Sequence, residues 1–300
     1  MLGVIIPYYK FAFFEATLQS LANQTDKRFK VYIGDDASPE DCNKILQQFR
    51  GQFDFEYNRF ETNLGGAALT QQWERCIALS QNESWLMILG DDDVLGNDCV
   101  ATFYKNEATI NANTSNVVRF ACEVINAEGK VFLGPYFHPK LESATDFYCR
   151  KVSNQTRSSL SEYIFKKSIF EKHHFVNYPL AWHSDDKAWI DFSENLPIYT
   201  INEAIVYVRY SKVNISGRQD NLEQKLSATF LFYKDILKQK KATFSKYQVL
   251  LLLMAFEVII KKNRKLIYSE WMFLFRYYFI YFRAIPFLKF TRRFLMSIIS

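Results

Sequence analysis

Trp85-Leu86-Met87-Ile88-Leu89-Gly90-Asp91-Asp92-Asp93 is the stretch that orients the rest of the chain. Its apolar run is short, rich in bulky side chains and bounded by Ser84 and Gly90. It reads as a strand buried on both faces of a parallel sheet. The three carboxylates then stand at the strand's carboxyl end, where open α/β sheets bind their ligands. Adjacent negative charges repel one another, and a cation compensates them most simply. Alternate carboxylates such as Asp91 and Asp93 suit a hard divalent ion that takes oxygen ligands and leaves room for phosphate oxygens and water. The competing reading is a solvated acidic turn ahead of a helix capped by Asn97 or Asp98.

Toward the amino terminus, strand and helix patterns alternate. Val4-Ile5-Ile6 reads as a strand, and Phe11, Phe14, Leu18 and Leu21 recur behind it at helical spacing. Val31-Tyr32-Ile33 is a second strand, running into Gly34-Asp35-Asp36-Ala37-Ser38-Pro39, with a helix expected over residues 40–50. Phe53, Phe55 and Tyr57 alternate with polar residues as a half-buried third strand. Asn63-Leu64-Gly65-Gly66 turns into another helix through Leu79. This order implies right-handed βαβ units and a doubly wound sheet. Beyond residue 115 the pattern is mixed. Val117 to Ile125, Tyr163 to Lys166 and Ile205 to Tyr210 read as strands, and the polar, aperiodic stretch 135–160 as a long surface loop covering the site.

With 300 residues and 49% hydrophobic content, the chain can bury a sizeable core. Five scattered cysteines, none at metal-ligand spacing, fit reduced thiols in the cytoplasm rather than disulfides or a zinc site. The apolar run Leu2 to Ile6 stops at Pro7 without a basic flank or cleavage site, so no signal peptide is expected there. The net charge of +5 conceals an asymmetry, because residues 231–300 carry 14 Lys/Arg against three Asp/Glu and the remainder is acidic. An acidic body argues against nucleic acid as the partner.

Two further acidic clusters carry chemistry. Asp36, at the end of the second strand, can accept from a base imide or ribose hydroxyls, or can simply form the turn before Ser38-Pro39. Gly65-Gly66 permits close backbone approach to a phosphate or sugar, as it would in any tight turn. No dinucleotide or Walker-type glycine loop is present, which lowers dehydrogenase and NTPase readings. In His183-Ser184-Asp185-Asp186-Lys187-Ala188-Trp189, Ser184 is the expected N-cap. Asp185 and Asp186 then fall in a first helical turn, where the helix dipole favours an ionised base. Acidic first turns are also common without any catalytic role.

Val4-Ile5-Ile6-Pro7-Tyr8-Tyr9-Lys10, Ser20 to Thr25, Val31 to Ser38, Asn63 to Gly66, Gly90 to Asp93 and Ser184-Asp185-Asp186 with Trp189 fall in one order over residues 1–215. Together they resemble the family-two, inverting glycosyltransferases of the glycosyltransferase-A fold. The resemblance implies a doubly wound, mostly parallel α/β sheet with a mixed acceptor-side half and a C-terminal helical tail. It divides the chain into a catalytic domain over 1–225, with a nucleotide-sugar half to residue 115, and a tail over 226–300. By the same resemblance Pro7, Tyr9, Asp36, Asn63, Gly65, Gly66, Asp91 and Asp92 bind a nucleotide-sugar of the UDP class, whose base Asp36 reads, and Asp91 and Asp93 hold Mg²⁺ or Mn²⁺. The base is Asp186 by local pattern or Asp185 by counting back from Trp189. Two departures stand out: Gly90 occupies the place of a first Asp in many relatives, which leaves Asp91 open as a residue behind the metal. Arg209-Tyr210-Ser211 lacks a histidine that some relatives use as a ligand.

The implied acceptor is a glycan or lipid-linked glycan of a surface polysaccharide. The tail fits that setting, since Lys261, Lys262, Arg264 and Lys265 precede Arg276 and Arg283, expected two turns apart on one helical face among Trp271, Phe275, Tyr278 and Phe282. Residues 243–300 are therefore expected on the inner face of the cell membrane, with packing on the body or a homo-oligomer as the alternative. No stretch there reads as transmembrane. The other function classes are a metal-dependent phosphotransferase or phosphohydrolase, which lacks a nucleophilic Asp after the first strand, and a catalytically inactive membrane-docked binding protein.

Overall fold

The structure, a computed structural model, describes residues 1–211, 214, 217, 218, 220–238 and 244–299. Its first half runs β1 (Leu2–Tyr8), α1 (Phe14–Ala22), β2 (Phe29–Asp35), α2 (Asn43–Phe49), β3 (Asp54–Arg59), α3 (Gly65–Ile77), β4 (Trp85–Ile88), β5 (Val94–Leu95) and α4 (Cys99–Ala112). The second half runs β6 (Val117–Ile125), β7 (Val131–Tyr136), β8 (Leu141–Glu142), α5 (Ala144–Val152), β9 (Tyr163–Lys166), α6 (Lys167–His173), α7 (Ser184–Ser193) and β10 (Ile198–Arg209). Four helices follow: α8 (Leu222–Lys238), α9 (Lys246–Lys261), α10 (Tyr268–Ile280) and α11 (Ala284–Ile299).

The strands form one open sheet in the order β3-β2-β1-β4-β9-β6-β10-β5, with β7 on β6 and β8 on β10. β3, β2, β1 and β4 are mutually parallel, and β10 runs parallel to β6. β9 runs antiparallel to both β4 and β6, which joins the parallel half to the mixed half. Strand order reverses at β1, so the loop after β1 and the loop after β4 diverge and leave a crevice at their carboxyl ends. The three aspartates sit at that crevice.

Period-two alternation explains why both faces of the sheet are covered. Val4, Ile6, Val31, Ile33, Met87 and Leu89 pack with Phe14, Leu18 and Leu21 of α1 on one face. Ile5, Tyr32, Leu86 and Ile88 pack on the other face in a cluster that continues through Trp73 and Trp189 to Phe232, Phe256 and Leu274. The tail helices therefore share an apolar core with the body. Trp189 is 1% exposed and stacks on Tyr163 with ring centroids 4.2 Å apart, which anchors α7 to β9. Trp189→Ala is expected to cost about 3–5 kcal/mol, read by denaturant unfolding.

Three local expectations change. The stretch 135–160 contains β8 and helix α5, whose Phe147, Tyr148 and Cys149 are buried; Ser143 caps α5 by accepting from the Asp146 N–H. Ala144, Phe147, Tyr148 and Val152 do recur at helical spacing, but over little more than two turns inside a polar stretch. Ser184 is the first helical residue of α7 rather than its cap, because His183 takes the cap position with a left-handed backbone. The Ser184 hydroxyl instead donates to the Val176 carbonyl. In the tail, α10 ends at Ile280, so Arg276 and Arg283 do not share a helix. Trp271 and Phe275 turn toward Phe290 and Phe294 of α11, and Tyr278 is buried against Phe290.

Candidate functional site

The aspartate cluster divides by what its oxygens already bind. Asp91 is buried, and its Oδ2 accepts from the backbone N–H groups of Tyr9 at 2.8 Å and Lys10 at 2.7 Å. It thus ties the loop after β1 to the end of β4. Asp93 is also buried; its Oδ1 accepts from the Arg209 N–H at 2.7 Å and its Oδ2 from the Ser161 hydroxyl. The Asp93 carbonyl accepts from Thr17 on α1. Asp92 is only partly buried, and its side chain lies within reach of the Lys10 and Arg209 charges. Burial and the neighbouring Asp92 charge push Asp91 up to about 6 and Asp93 up to about 7. Burial also raises Asp92, against the opposing pull of Lys10 and Arg209.

Gly90 is needed beside them because a Cβ there would stand 2.9 Å from Asp92 Oδ1 and 3.0 Å from Asp93 Oδ2. The loop also leans on Ser161, whose Oγ accepts from the Gly90 N–H at 3.0 Å while donating to Asp93. Asp93→Ala is expected to destabilise the fold by about 2–3 kcal/mol, since it leaves the Ser161 hydroxyl and the Arg209 N–H without their acceptor. Thermal unfolding measures this, and an unchanged midpoint would contradict the structural role assigned to Asp93.

Asp36 reaches the turn 63–66. Its Oδ1 accepts from the Leu64 N–H at 2.7 Å and from Arg75 at 2.5 Å, and its Oδ2 accepts from the Gly65 N–H at 2.9 Å. A Cβ at Gly65 would stand 2.7 Å from that Oδ2, which is why glycine is required there. Asn63 caps the same turn by accepting from the Gly66 N–H. Asp35, fully buried, accepts from Ser38 N–H, Tyr57 hydroxyl and Arg59. Pro7 is partly buried, and the Tyr9 ring is 41% exposed beside these groups.

The third acidic pair is split. Asp186 is buried, with Oδ1 taken by the Lys151 ammonium and Oδ2 at 2.8 Å from His183 Nδ1. Burial pushes its carboxyl up, but Lys151 and His183 together outweigh burial and hold it well below the usual range. Asp185 is partly exposed, and its Oδ1 accepts from the Asp186 N–H. Burial and the Asp186 charge push it up to about 7, and Glu162 adds to the rise. Glu162 follows Ser161, so the segment 161–162 touches the aspartate loop on one side and acts on Asp185 on the other. His183 stacks on Phe232 at 4.7 Å and reaches Thr229 through Nε2, which commits both ring nitrogens.

Among the described residues no group of three or more His, Cys, Asp or Glu side chains is placed to hold a metal ion. The oxygen donor set still suits Mg²⁺ or Mn²⁺, which bind through one or two carboxylates plus substrate phosphates and water. All three carboxylates accept hydrogen bonds from the protein, Asp92 from the Asn214 side chain, and Asp92 is the most exposed of the three. Ser161, Lys151 and Arg75 were not identifiable as site residues from sequence, and Arg209 stood out there only for the missing histidine. Lys151 lies 35 residues from Asp186 and Ser161 lies 68 from Asp93, with no local pattern linking either pair.

Comparison with known proteins agrees with this architecture. The sequence pattern of the family Glycosyl transferase family 2 matches residues 3–164. An uncharacterized glycosyltransferase of Haemophilus influenzae is 28% identical over 172 residues, which cover 56% of this chain and 55% of that protein. The chain thus spans about half the length of this curated relative. Among solved structures, S. aureus TarS 1-349 in complex with UDP-GlcNAc superposes with a TM-score of 0.67 at 17% identity, over 87% of this chain and 74% of that one. GalNAc-T7 with UDP, GalNAc and Mn²⁺ superposes with a TM-score of 0.54 at 10% identity, over 88% and 56%. With the family pattern covering more than half of its length and the solved relatives sharing its fold, this chain belongs to glycosyl transferase family 2.

Proposed function

We propose that the chain is a metal-dependent inverting glycosyltransferase that moves a sugar from a UDP-sugar to a hydroxyl of a glycan or lipid-linked glycan. The observation that carries this reading is the pairing of an accessible carboxylate, Asp92, at the β4 end with a separately poised carboxylate, Asp185, at the start of α7. TarS bound to UDP-GlcNAc and GalNAc-T7 bound to UDP and Mn²⁺ supply the donor class and the class of ion.

The residues divide the work. Pro7 and the exposed Tyr9 ring flank the base, while Asp36, Asn63, Gly65 and Gly66 shape the donor pocket's rim. Asp92 would hold the ion together with the neighbouring Asp91 and Asp93, and Lys10 and Arg209 add positive charge where the diphosphate carries negative charge. The ion supplies Lewis-acid stabilisation of the leaving diphosphate. Asp185 takes the proton of the acceptor hydroxyl as its oxygen bonds to the anomeric carbon and the bond to the diphosphate oxygen breaks. Asp186, held by Lys151 and His183, positions the start of α7 and keeps a negative charge beside Asp185. A panel of nucleotide sugars incubated with Mg²⁺ or Mn²⁺ tests the reading. Release of UDP should depend on the ion and stop with EDTA; UDP release unaffected by EDTA, or none from any donor, rejects it.

The same reading puts the tail on the inner face of the membrane. No described helix is long and apolar enough to cross a bilayer. Exposed large apolar side chains are nevertheless concentrated in the tail, among them Met254, Met272, Phe279, Ile285 and Leu288. Basic residues lie between them, which is the composition of a surface seated in an anionic interface.

A further inference from the structure

The link between α9 and α10 and the outer turns of α11 line an open cavity of about 810 Å³. Lys261, Arg264, Lys265, Lys289, Arg292 and Arg293 line it, with Trp271 and Met296 as apolar wall. No carboxylate occurs among its described lining residues. Two carboxylates stand just behind the wall instead, Glu257 at 2% and Glu270 at 1% exposure. Glu257 accepts from Lys261 at 2.7 Å and from Arg293 through both Nε and Nη2 at 2.8 Å. Glu270 accepts from Arg264 through Nη1 at 2.9 Å and Nη2 at 2.8 Å. These forks fix two guanidiniums in position before any ligand arrives, which lowers the ordering cost of binding an anion.

Six cations against two buried carboxylates leave the concavity with a net positive wall, unlike a solvated basic face where like charges spread apart. An oxyanion with several acceptor oxygens is the ligand class that such a wall recognises. A groove of about 270 Å³ shares Lys289 and Arg293 with the cavity, carries Arg283 as well, and is otherwise lined by apolar and aromatic residues such as Leu250, Leu251, Met254 and Ile285. A charged cavity that shares Lys289 and Arg293 with a largely apolar groove matches an amphiphile with a phosphate at one end and a hydrocarbon chain at the other.

We propose that this cavity is a binding site for the phosphate headgroup of an anionic phospholipid, with the adjoining groove receiving the first part of an acyl chain. The proposal deepens the membrane placement given above and rests on it, but it is independent of the sugar chemistry. The site would hold the enzyme at a set depth and orientation on the bilayer instead of leaving it loosely attracted by charge.

Co-sedimentation of the full chain with phosphatidylcholine vesicles containing phosphatidylglycerol, or oleate at matched negative charge, tests this. Lys289→Gln with Arg292→Gln removes two exposed cavity cations, and Lys246→Gln with Arg276→Gln removes two exposed tail cations outside both cavities. The cavity variant should lose at least tenfold more affinity for the phosphatidylglycerol vesicles than the control variant. Wild type should prefer phosphatidylglycerol over oleate. Equal losses in the two variants, equal binding to the two anionic lipids, or wild type remaining in the supernatant at low salt would each overturn the site. UDP release measured without vesicles should be unchanged in the cavity variant. If no donor is hydrolysed while the vesicle results hold, the glycosyltransferase reading fails and the lipid site stands.

Discussion

Asp92→Asn is expected to lower UDP-sugar turnover by about 10²- to 10³-fold, the size of effect seen when a group stabilising transition-state charge is removed. The loss should appear in kcat, and adding more Mg²⁺ or Mn²⁺ should recover only part of it. Stability should not fall with it. The Asp92 charge helps to push both Asp91 and Asp93 upward, so its removal relieves repulsion inside the loop. The thermal midpoint should therefore stay level or rise, in contrast to the loss expected for Asp93→Ala. A variant at position 92 that retains near wild-type turnover would move the ion's ligand elsewhere in the loop.

Asp185→Asn and Asp186→Asn should separate the base from the residue that positions it. Loss of a general base costs roughly 10²- to 10⁴-fold in turnover, and the Asp185 variant should show this with donor affinity retained. The pH profile carries an additional sign. A base must be unprotonated to act, and Asp185 sits at about 7, so kcat/KM should fall about tenfold per pH unit below that point and level off above it. The Asp186 variant should lose stability first. It replaces a carboxylate that Lys151 and His183 share, and breaking a buried pair from one side costs about 3 kcal/mol or more. Because the Asp186 carboxyl is held low, its contribution is present above the unfolded carboxylate range and disappears as pH falls through its lowered folded value. An inactive but fully stable Asp186 variant, alongside an active Asp185 variant, would exchange the two roles.

Much of the donor half is legible in the amino-acid order because its determinants are local. Apolar runs of β1, β2 and β4 alternate with helical periods in α1 and α3, and acidic residues follow β2 and β4 directly. That order dictates a wound sheet and brings the acidic strand ends to one edge. Local pattern also foresaw Asp185 and Asp186 in a first helical turn, and the tail's basic and aromatic composition.

What a carboxylate does, however, depends on which donors face its oxygens, and those donors come from distant parts of the chain. Asp91 accepts from Tyr9 and Lys10, Asp93 from Ser161 and Arg209, and Asp186 from Lys151, so aspartates alike in sequence meet different partners, and Asp92 and Asp185 are the more exposed members of their clusters. Helix α5 carries its apolar period over only about two turns within a polar stretch, and what fixes it is packing against α7 and α9. In the tail, the ring-rich stretch suggested a single interfacial face, yet packing of α10 on α11 buries Tyr278 and turns Trp271 and Phe275 inward. Only that tertiary arrangement gathers Lys261, Arg264, Lys289, Arg292 and Arg293, spread over 33 residues of sequence, into one cavity, with buried Glu257 of α9 holding Arg293 of α11 and buried Glu270 of α10 holding Arg264 of the link.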